Sequence, residues 1–283
     1  MVSLSNSEFV LFRNFICERC GINIEENKAY LIETRLAKML IDSGLNSFTE
    51  LYNSIESNWD DSIATKIIDA VTTNETFWFR DKKPWEVIEN CLMPQFIEML
   101  RNKHKAKIRI WSAAASTGQE IYSTVMCIDN YLRKNNITDI KLTDFEFIAT
   151  DISTNVLEIA KKGIYDSISI KRGLDLEYRE LYFKKEGHVW VVADFIKNRV
   201  KFEQFNLRNS FMFMGKFDLV LCRYVLIYFS KDFRKEVLEK MTRAINKEGY
   251  FIIGTSEIYY DMDYLFEKKS YNEATYYMLK EEL

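Results

Sequence analysis

A run of small residues and two carboxylates carry the clearest chemical signal in this chain. The run Trp111-Ser-Ala-Ala-Ala-Ser-Thr-Gly118-Gln-Glu120 follows the apolar stretch Lys107-Ile-Arg-Ile-Trp111 and leads into a helical pattern. Small side chains at this point, Ala113 among them, let a ligand approach the backbone and aim a helix N-terminus at it. Asp151 follows a second apolar stretch, Phe145-Glu-Phe-Ile-Ala149. There a carboxylate can accept hydrogen bonds from both hydroxyls of a ribose, which suggests a nucleoside-containing ligand. Gly118 is the run's only glycine, so neither a G-x-G-x-x-G fingerprint nor a Walker lysine is available to cradle polyphosphate. S-adenosylmethionine fits better, because its charged amino group would meet Glu120. A plain sheet-packing loop is the competing reading of the same residues.

These residues need a scaffold, and the hydrophobic periodicity supplies one. From Ser7 to about Asn74 the apolar positions recur at helical spacing (Phe9, Phe12, Phe15, Ile16; Leu31, Leu36, Leu40, Ile41; Ile63, Ile67, Ile68) without strand-like runs. Gly21 and Gly44 fall where helix C-caps are expected. A helix is predicted from about Pro84 to Lys103, and strands then alternate with helices. Strands are expected near 107–111, 145–149, 200–205, 217–222 and 250–253, and helices over 119–135, after Ser153, and over 230–246. Tyr182 to Val192 reads as a strand, a Lys-Glu-Gly turn and a second strand. The expected class is α/β: an all-helical N-terminal domain over 1–83, then a mostly parallel sheet with helices on both faces over 84–283, with a small antiparallel β insertion at about 174–199.

Composition removes whole classes of function. The chain has 283 residues, with 39 Lys+Arg against 42 Asp+Glu and a net charge of -3, which argues against a general nucleic-acid binder. It has 9 Gly and 2 Pro, where average usage gives roughly 20 and 14. His104 and His188 lie far apart, so neither a multi-His metal site nor a serine-type triad is expected, and no metal is. The cysteines 17, 20, 91, 127 and 222 lack a disulfide-framework spacing, which fits a reducing, cytoplasmic compartment. Cys17-Glu-Arg-Cys20 reads as two helix positions three apart. No apolar run reaches 18 residues, so no membrane insertion is expected.

Six segments together resemble the chemotaxis receptor glutamate methyltransferases (CheR). They are Thr73-Asn-Glu-Thr-Phe-Trp-Phe-Arg-Asp81, Arg109 to Glu120, Ala149-Thr-Asp-Ile152, Asn206-Leu207, Cys222-Arg-Tyr-Val-Leu-Ile-Tyr-Phe229 and Gly254-Thr-Ser-Glu257. The resemblance implies a helical domain joined to a Rossmann-like, S-adenosylmethionine-dependent methyltransferase domain with a small β-subdomain. It also implies methyl transfer to glutamate side chains of receptor cytoplasmic helices, with S-adenosylhomocysteine as product. Carried over by position, it makes Asn74, Thr76, Arg80, Ala113, Gly118, Glu120, Asp151, Ile152, Asn206, Leu207, Arg223 and Tyr224 candidates for the cofactor or acceptor site. Tyr228 is the candidate nearest the transferring methyl, and Arg80 with Tyr228 makes the candidate catalytic pair. A glutamate is already ionised at neutral pH, its unperturbed pKa being about 4.3, so no general base is required. Arg80 could present a planar fork to that carboxylate and the Tyr228 hydroxyl could fix its second lone pair. The competing readings are an interdomain salt bridge for Arg80 and core packing for Tyr228.

Four positions depart from the family pattern. Tyr224 stands where the family usually has Asn, Gln119 where it has Glu, Ile121 where it has Pro, and Thr255 where it has His. A ring in place of a small amide at 224 is expected to disturb the cofactor wall. That keeps open a second reading, a cofactor-binding module with weak or no catalysis. A small-molecule methyltransferase is a third, against which the helical domain and the 74–80 motif count. Lys28, Arg35 and Lys38 fall within about 80° of one helical face, which could dock an acidic receptor helix or could be an ordinary solvated face. The short Lys184–His188 connection predicts a weak or absent tether to a receptor C-terminal pentapeptide. A monomer is expected.

Overall fold

The computed structural model describes residues 3–56 and 61–280. Helix α1 (Asn6–Cys20) starts at a capping box, in which the Ser5 hydroxyl accepts from the Glu8 amide and the Glu8 carboxylate accepts from the Ser5 amide. Its buried Phe9, Phe12, Phe15 and Ile16 pack on Ile32, Leu36 and Leu40 of α2 (Ala29–Ser43). Helices α3 (Phe48–Glu56) and α4 (Ser62–Val71) close this first core, which ends at Val71. Gly21 and Gly44 terminate α1 and α2 as their positions predict.

The helix predicted from Pro84 is a composite. Helix α5 (Lys82–Val87) passes through a π-helical turn at Ile88–Leu92 into α6 (Met93–Arg101), and Pro94 sits where the new α segment begins. A wider turn accommodates the proline without breaking the rod.

Strand β1 (Ile108–Ala113), helix α7 (Gln119–Lys134), strand β2 (Phe145–Asp151) and helix α8 (Thr154–Lys162) then follow. Next comes a three-stranded antiparallel sheet of β3 (Ile164–Asp166), β4 (Phe183–Glu186) and β5 (Val189–Val192), in the order β3-β5-β4. Short helices α9 (Ser167–Lys171), α10 (Leu176–Tyr182) and α11 (Asp194–Lys197) accompany it. The main sheet resumes with β6 (Val200–Gln204), β7 (Phe217–Leu221), helix α12 (Lys231–Ala244), β8 (Ile245–Ile252), β9 (Phe266–Tyr271) and β10 (Ala274–Leu279).

The seven strands lie in the order β6-β2-β1-β7-β8-β10-β9. Strands β6, β2, β1, β7 and β8 are parallel, and the last hairpin adds β10 and β9 antiparallel. Alternate residues face opposite layers, as period two requires. Ile108, Ile110, Phe147, Leu219 and Ile252 pack with Val125 and Ile128 of α7, whereas Trp111, Ile148, Val220 and Phe251 pack with Val237, Leu238 and Met241 of α12. The chain leaves β1 toward β2 on one side and later reaches β7 on the other. A switch point of this kind opens a crevice beyond the carboxyl ends of the strands. Among the described residues no helix is long and apolar enough to cross a membrane. No group of three or more His, Cys, Asp or Glu among them is placed to hold a metal.

Candidate functional site

A solvent-open cleft of about 930 Å3 occupies that crevice, and the loops after strands β1, β2, β6 and β7 converge on it. After β1 the backbone winds through Ala114, Ser116 and Gly118, all at positive φ (59°, 51° and 94°), before α7 begins. Ala114, Ala115 and Ser116 line the cleft. Ala113 itself is buried in the α12-side core. Gly118 also lies off the lining, and a side chain there would meet Ala160, Tyr122 and Tyr165. Both residues shape the loop from behind.

Asp151 and Ile152 line the cleft at the end of β2. The Asp151 oxygens each accept one backbone amide, Oδ2 from Ser116 at 2.8 Å and Oδ1 from Ser153 at 3.0 Å. Burial raises its pKa against the lowering pull of these amides. The bonds fix the carboxylate, and each oxygen keeps a second lone pair. Asn206 and Leu207 follow β6 into the cleft. The Asn206 amide is already engaged, donating to the Arg19 carbonyl at 2.7 Å and accepting from the Arg208 amide at 3.0 Å.

The 73–81 segment forms the opposite wall, contributing Asn74, Thr76 and Arg80. Trp78 pins it: the ring is fully buried, edge-on to Tyr165 (4.9 Å) and Phe183 (5.0 Å). Its amide donates to the Arg172 carbonyl at 3.2 Å. Gly173 must be glycine, because φ is +89° and a Cβ would stand 2.0 Å from the Trp78 carbonyl oxygen. Two further residues adopt positive φ on either side of Arg80, Phe79 (47°) and Asp81 (58°). Phe79 is held there by its amide bond to Ser123 Oγ at 3.1 Å and by Trp85 and Tyr178 against its ring.

A buried ionic chain runs under the cleft. Arg223, with its side chain 1% exposed, donates from Nη1 to Glu120 Oε2 and from Nη2 to Asp81 Oδ2, each at 2.9 Å. Ser112 Oγ holds the other Glu120 oxygen at 2.7 Å. Burial pushes Asp81 up, but the Tyr224 hydroxyl and the Arg223 charge outweigh it and hold the carboxyl below its usual value. Two carboxylates facing one guanidinium leave one negative charge over, which suits a cationic amino group.

Tyr224, where a ring in place of a small amide is expected to disturb the cofactor wall, lines the cleft. Its backbone stands at φ +58°, and its amide donates to Glu257 Oε2 at 2.7 Å. Gly254 leaves the space that the ring fills, since a Cβ there would come within 2.7 Å of it. The hydroxyl binds Asp81 and lies 3.3 Å from Thr255 Oγ1. Arg80 lies over the ring face, 3.6 Å from its centroid. Tyr228 lines both this cleft and an adjoining groove under α2, and its carbonyl accepts from the Asn23 amide at 2.8 Å.

The basic face assigned to Lys28, Arg35 and Lys38 is reduced. Arg35 is spent on the C-terminus of α4, donating to the Val71 and Thr72 carbonyls and to Thr73 Oγ1. Lys28 precedes α2 and pairs with Glu25 at 3.3 Å, while Lys38 is exposed. Among residues to which sequence reasoning gave no role, Cys20, Ile22, Ser116 and Phe229 line the cleft, and Asp81, Ser112 and Glu257 fix its groups. Asp81 and Glu257 stood inside the recognised motifs and were there to be found; Cys20 and Ile22 carried no chemical pattern. Burial pushes the Cys20 thiol up to about 11, so it is an inert wall.

Comparison with known proteins agrees with this construction. Residues 74–275 match the family model described as the CheR methyltransferase SAM binding domain, and residues 7–72 match that of the CheR methyltransferase all-alpha domain. Chemotaxis protein methyltransferase Cher2 of Pseudomonas putida is 42% identical over 257 residues, covering 90% of this chain and 92% of that protein. Chemotaxis protein methyltransferase 1 of Pseudomonas aeruginosa is 39% identical over the same length and coverage. Chemotaxis protein methyltransferase 1 of Vibrio cholerae is 37% identical over 280 residues, 99% of both chains. With a helical domain, a methyltransferase sheet and an inserted three-stranded sheet around one cleft, the chain belongs to the CheR methyltransferase family.

Proposed function

We propose that this protein transfers the methyl group of S-adenosylmethionine to glutamate side chains in the cytoplasmic helices of chemoreceptors, giving γ-methyl esters and S-adenosylhomocysteine. The observation that carries the reading is the joint lining of one cleft: Asp151, Glu120 and Arg223 on one side, Arg80, Tyr224 and Tyr228 on the other. The donor set fits the cofactor. Asp151 keeps lone pairs for ribose hydroxyls, the surplus carboxylate around Arg223 suits the amino group, and Ala114 to Ser116 leave room at the backbone. The bound cofactor supplies a methyl group on a sulfonium, and the chain's task is alignment. Asn74, Thr76, Ile152, Asn206 and Leu207 form the walls that exclude water, while Arg80 and the Tyr228 hydroxyl hold the acceptor carboxylate in line without protonating it. Gly118 and Ala113 act from behind the loop.

The coarse partner is the chemoreceptor; the finer assignments are part of the proposal. The groove shared by Tyr228 and α2, which Lys28 and Arg35 also line, faces the acceptor helix. The β-subdomain tether is weak or absent, since only Gly187 and His188 separate β4 from β5. We assign the domain boundary to the stretch between Val71 and Trp78, earlier than the expected 83/84, because Val71 closes the helical core and Trp78 packs in the sheet domain's core, and we extend the insertion expected at 174–199 back to β3 at Ile164. The protein works as a monomer in the cytoplasm. Labelled S-adenosylmethionine with receptor-bearing membranes tests the reading: base-labile label on the receptor is expected, and Arg80→Ala abolishes it. Cofactor binding without any transfer would instead favour the weakly catalytic module.

A further inference from the structure

We propose that Tyr224 is a positioning residue that sets Arg80 for the acceptor carboxylate; this rests on the methyl-transfer reading above. Arg80 has no carboxylate partner in the ion pairs of the described residues. It donates to the Glu75 carbonyl at 3.0 Å and lies between two ring faces, Phe77 at 5.3 Å and Tyr224 at 3.6 Å. A guanidinium resting on a ring keeps its charge and its N–H edge available to an incoming anion.

The Tyr224 ring is itself fixed from three directions. Glu257 holds the backbone in its left-handed conformation, Gly254 leaves the space for the ring, and Asp81 with Thr255 takes the hydroxyl. A left-handed backbone normally favours Asn. A tyrosine there has a steric cost, and the contacts it gains are those with Arg80, Asp81 and Thr255. Thr255 is a second residue that departs from the family pattern, and it meets the first at 3.3 Å. The two departures therefore form one unit. Asp81 also binds Arg223, which binds Glu120, so the ring that supports the acceptor-side cation is tied to the cofactor-side carboxylate.

The experiment compares Tyr224→Leu, Tyr224→Phe and Tyr224→Asn in the full chain, measuring receptor methylation kinetics and, separately, S-adenosylhomocysteine affinity by calorimetry. Tyr224→Leu is expected to lower kcat/KM for the receptor roughly tenfold or more, a loss larger than any it causes in product affinity. Tyr224→Phe keeps the ring under Arg80 and restores most of the loss, which general structural damage would not allow. Tyr224→Asn should follow Tyr224→Leu. If Tyr224→Leu or Tyr224→Asn transfers methyl as well as the parent, or Tyr224→Asn binds product more tightly with transfer intact, the ring is an obstruction and the proposal is overturned while the methyl-transfer reading stands. If the unaltered protein transfers no methyl to any receptor, that reading fails and the proposal falls with it.

Discussion

At the scale of single residues, the site depends on charges taken out of water in pairs. Asp81 is the clearest case, because one carboxylate serves a buried arginine and a tyrosine hydroxyl together. Its pKa is lowered in the folded protein from a reference value of 3.8, since the Tyr224 bond and the Arg223 charge outweigh burial. A depressed folded pKa means stability that is complete above the unfolded value and lost as the pH falls through the folded one. Asp81→Asn is therefore expected to cost about 1–3 kcal/mol at pH 7, where Arg223 keeps only Glu120 as an ionic partner. Urea unfolding of both proteins from pH 7 to pH 3 checks this. The gap should hold down to about pH 4 and then narrow; a constant gap would show that the carboxylate's charge is not its source. Asp151 runs the other way, its pKa raised by burial, so its contribution to the unliganded fold weakens as the pH rises past the ordinary carboxylate range.

At the scale of elements, the 73–81 segment is a strained strap laid across the sheet domain, and its hold on Arg80 comes from neighbours distant in sequence. Gly173→Ala should drive a methyl into the Trp78 carbonyl and lift the strap. The expected loss is about 2–4 kcal/mol, together with weaker product binding, because Asn74 and Thr76 ride on the same segment. Thermal unfolding and calorimetry on Gly173→Ala decide it; an unchanged melting temperature would mean that the strap is held elsewhere. What the sequence makes legible follows from the range of each interaction. Period 3.6 in α1 and α7, the Ser153 cap that accepts from the Val156 amide, and the parallel core strands are local patterns. Strand β3 is three residues long and has no pattern to read. The β9–β10 hairpin was missed because its turn, Asn272-Glu273, adopts positive φ at both positions (44° and 64°) without a glycine to announce it. The motifs gather Arg80, Glu120, Asp151 and Arg223, which line one cleft, but not the ionic order among them, nor the consumption of Arg35 by α4. Those depend on a fold that brings residue 81 to 223 and residue 35 to 71.

At the scale of the molecule, the cleft is a seam between two cored units, with Ile22 packed against both cores and Gly21 set against the Phe233 ring. The helical core ends at Val71, while Trp78 already belongs to the sheet domain's core. Across the seam run the Asn23 amide to the Tyr228 carbonyl (2.8 Å), Asn206 to the Arg19 carbonyl (2.7 Å), Arg208 to the Cys17 carbonyl (3.2 Å) and Asn155 to Asp69 (2.9 Å). Each such bond contributes on the order of 1 kcal/mol, so coupling between the units should yield to a few substitutions. The double variant Arg208→Ala with Asp69→Ala removes one bond at one end of the seam and two at the other, where Asp69 accepts from both Thr154 and Asn155, and it replaces no residue that lines the cleft. It is expected to split a single calorimetric transition into two. S-adenosylhomocysteine bound in the cleft, which Cys20 and Ile22 line together with Asp151 and Arg223, should merge them again. At a hundredfold excess over its Kd a ligand adds about 2.7 kcal/mol to the state that binds it, comparable to the three lost bonds together. Two transitions that persist under saturating product would place the ligand's contacts on the sheet domain alone and take the helical domain out of the binding site.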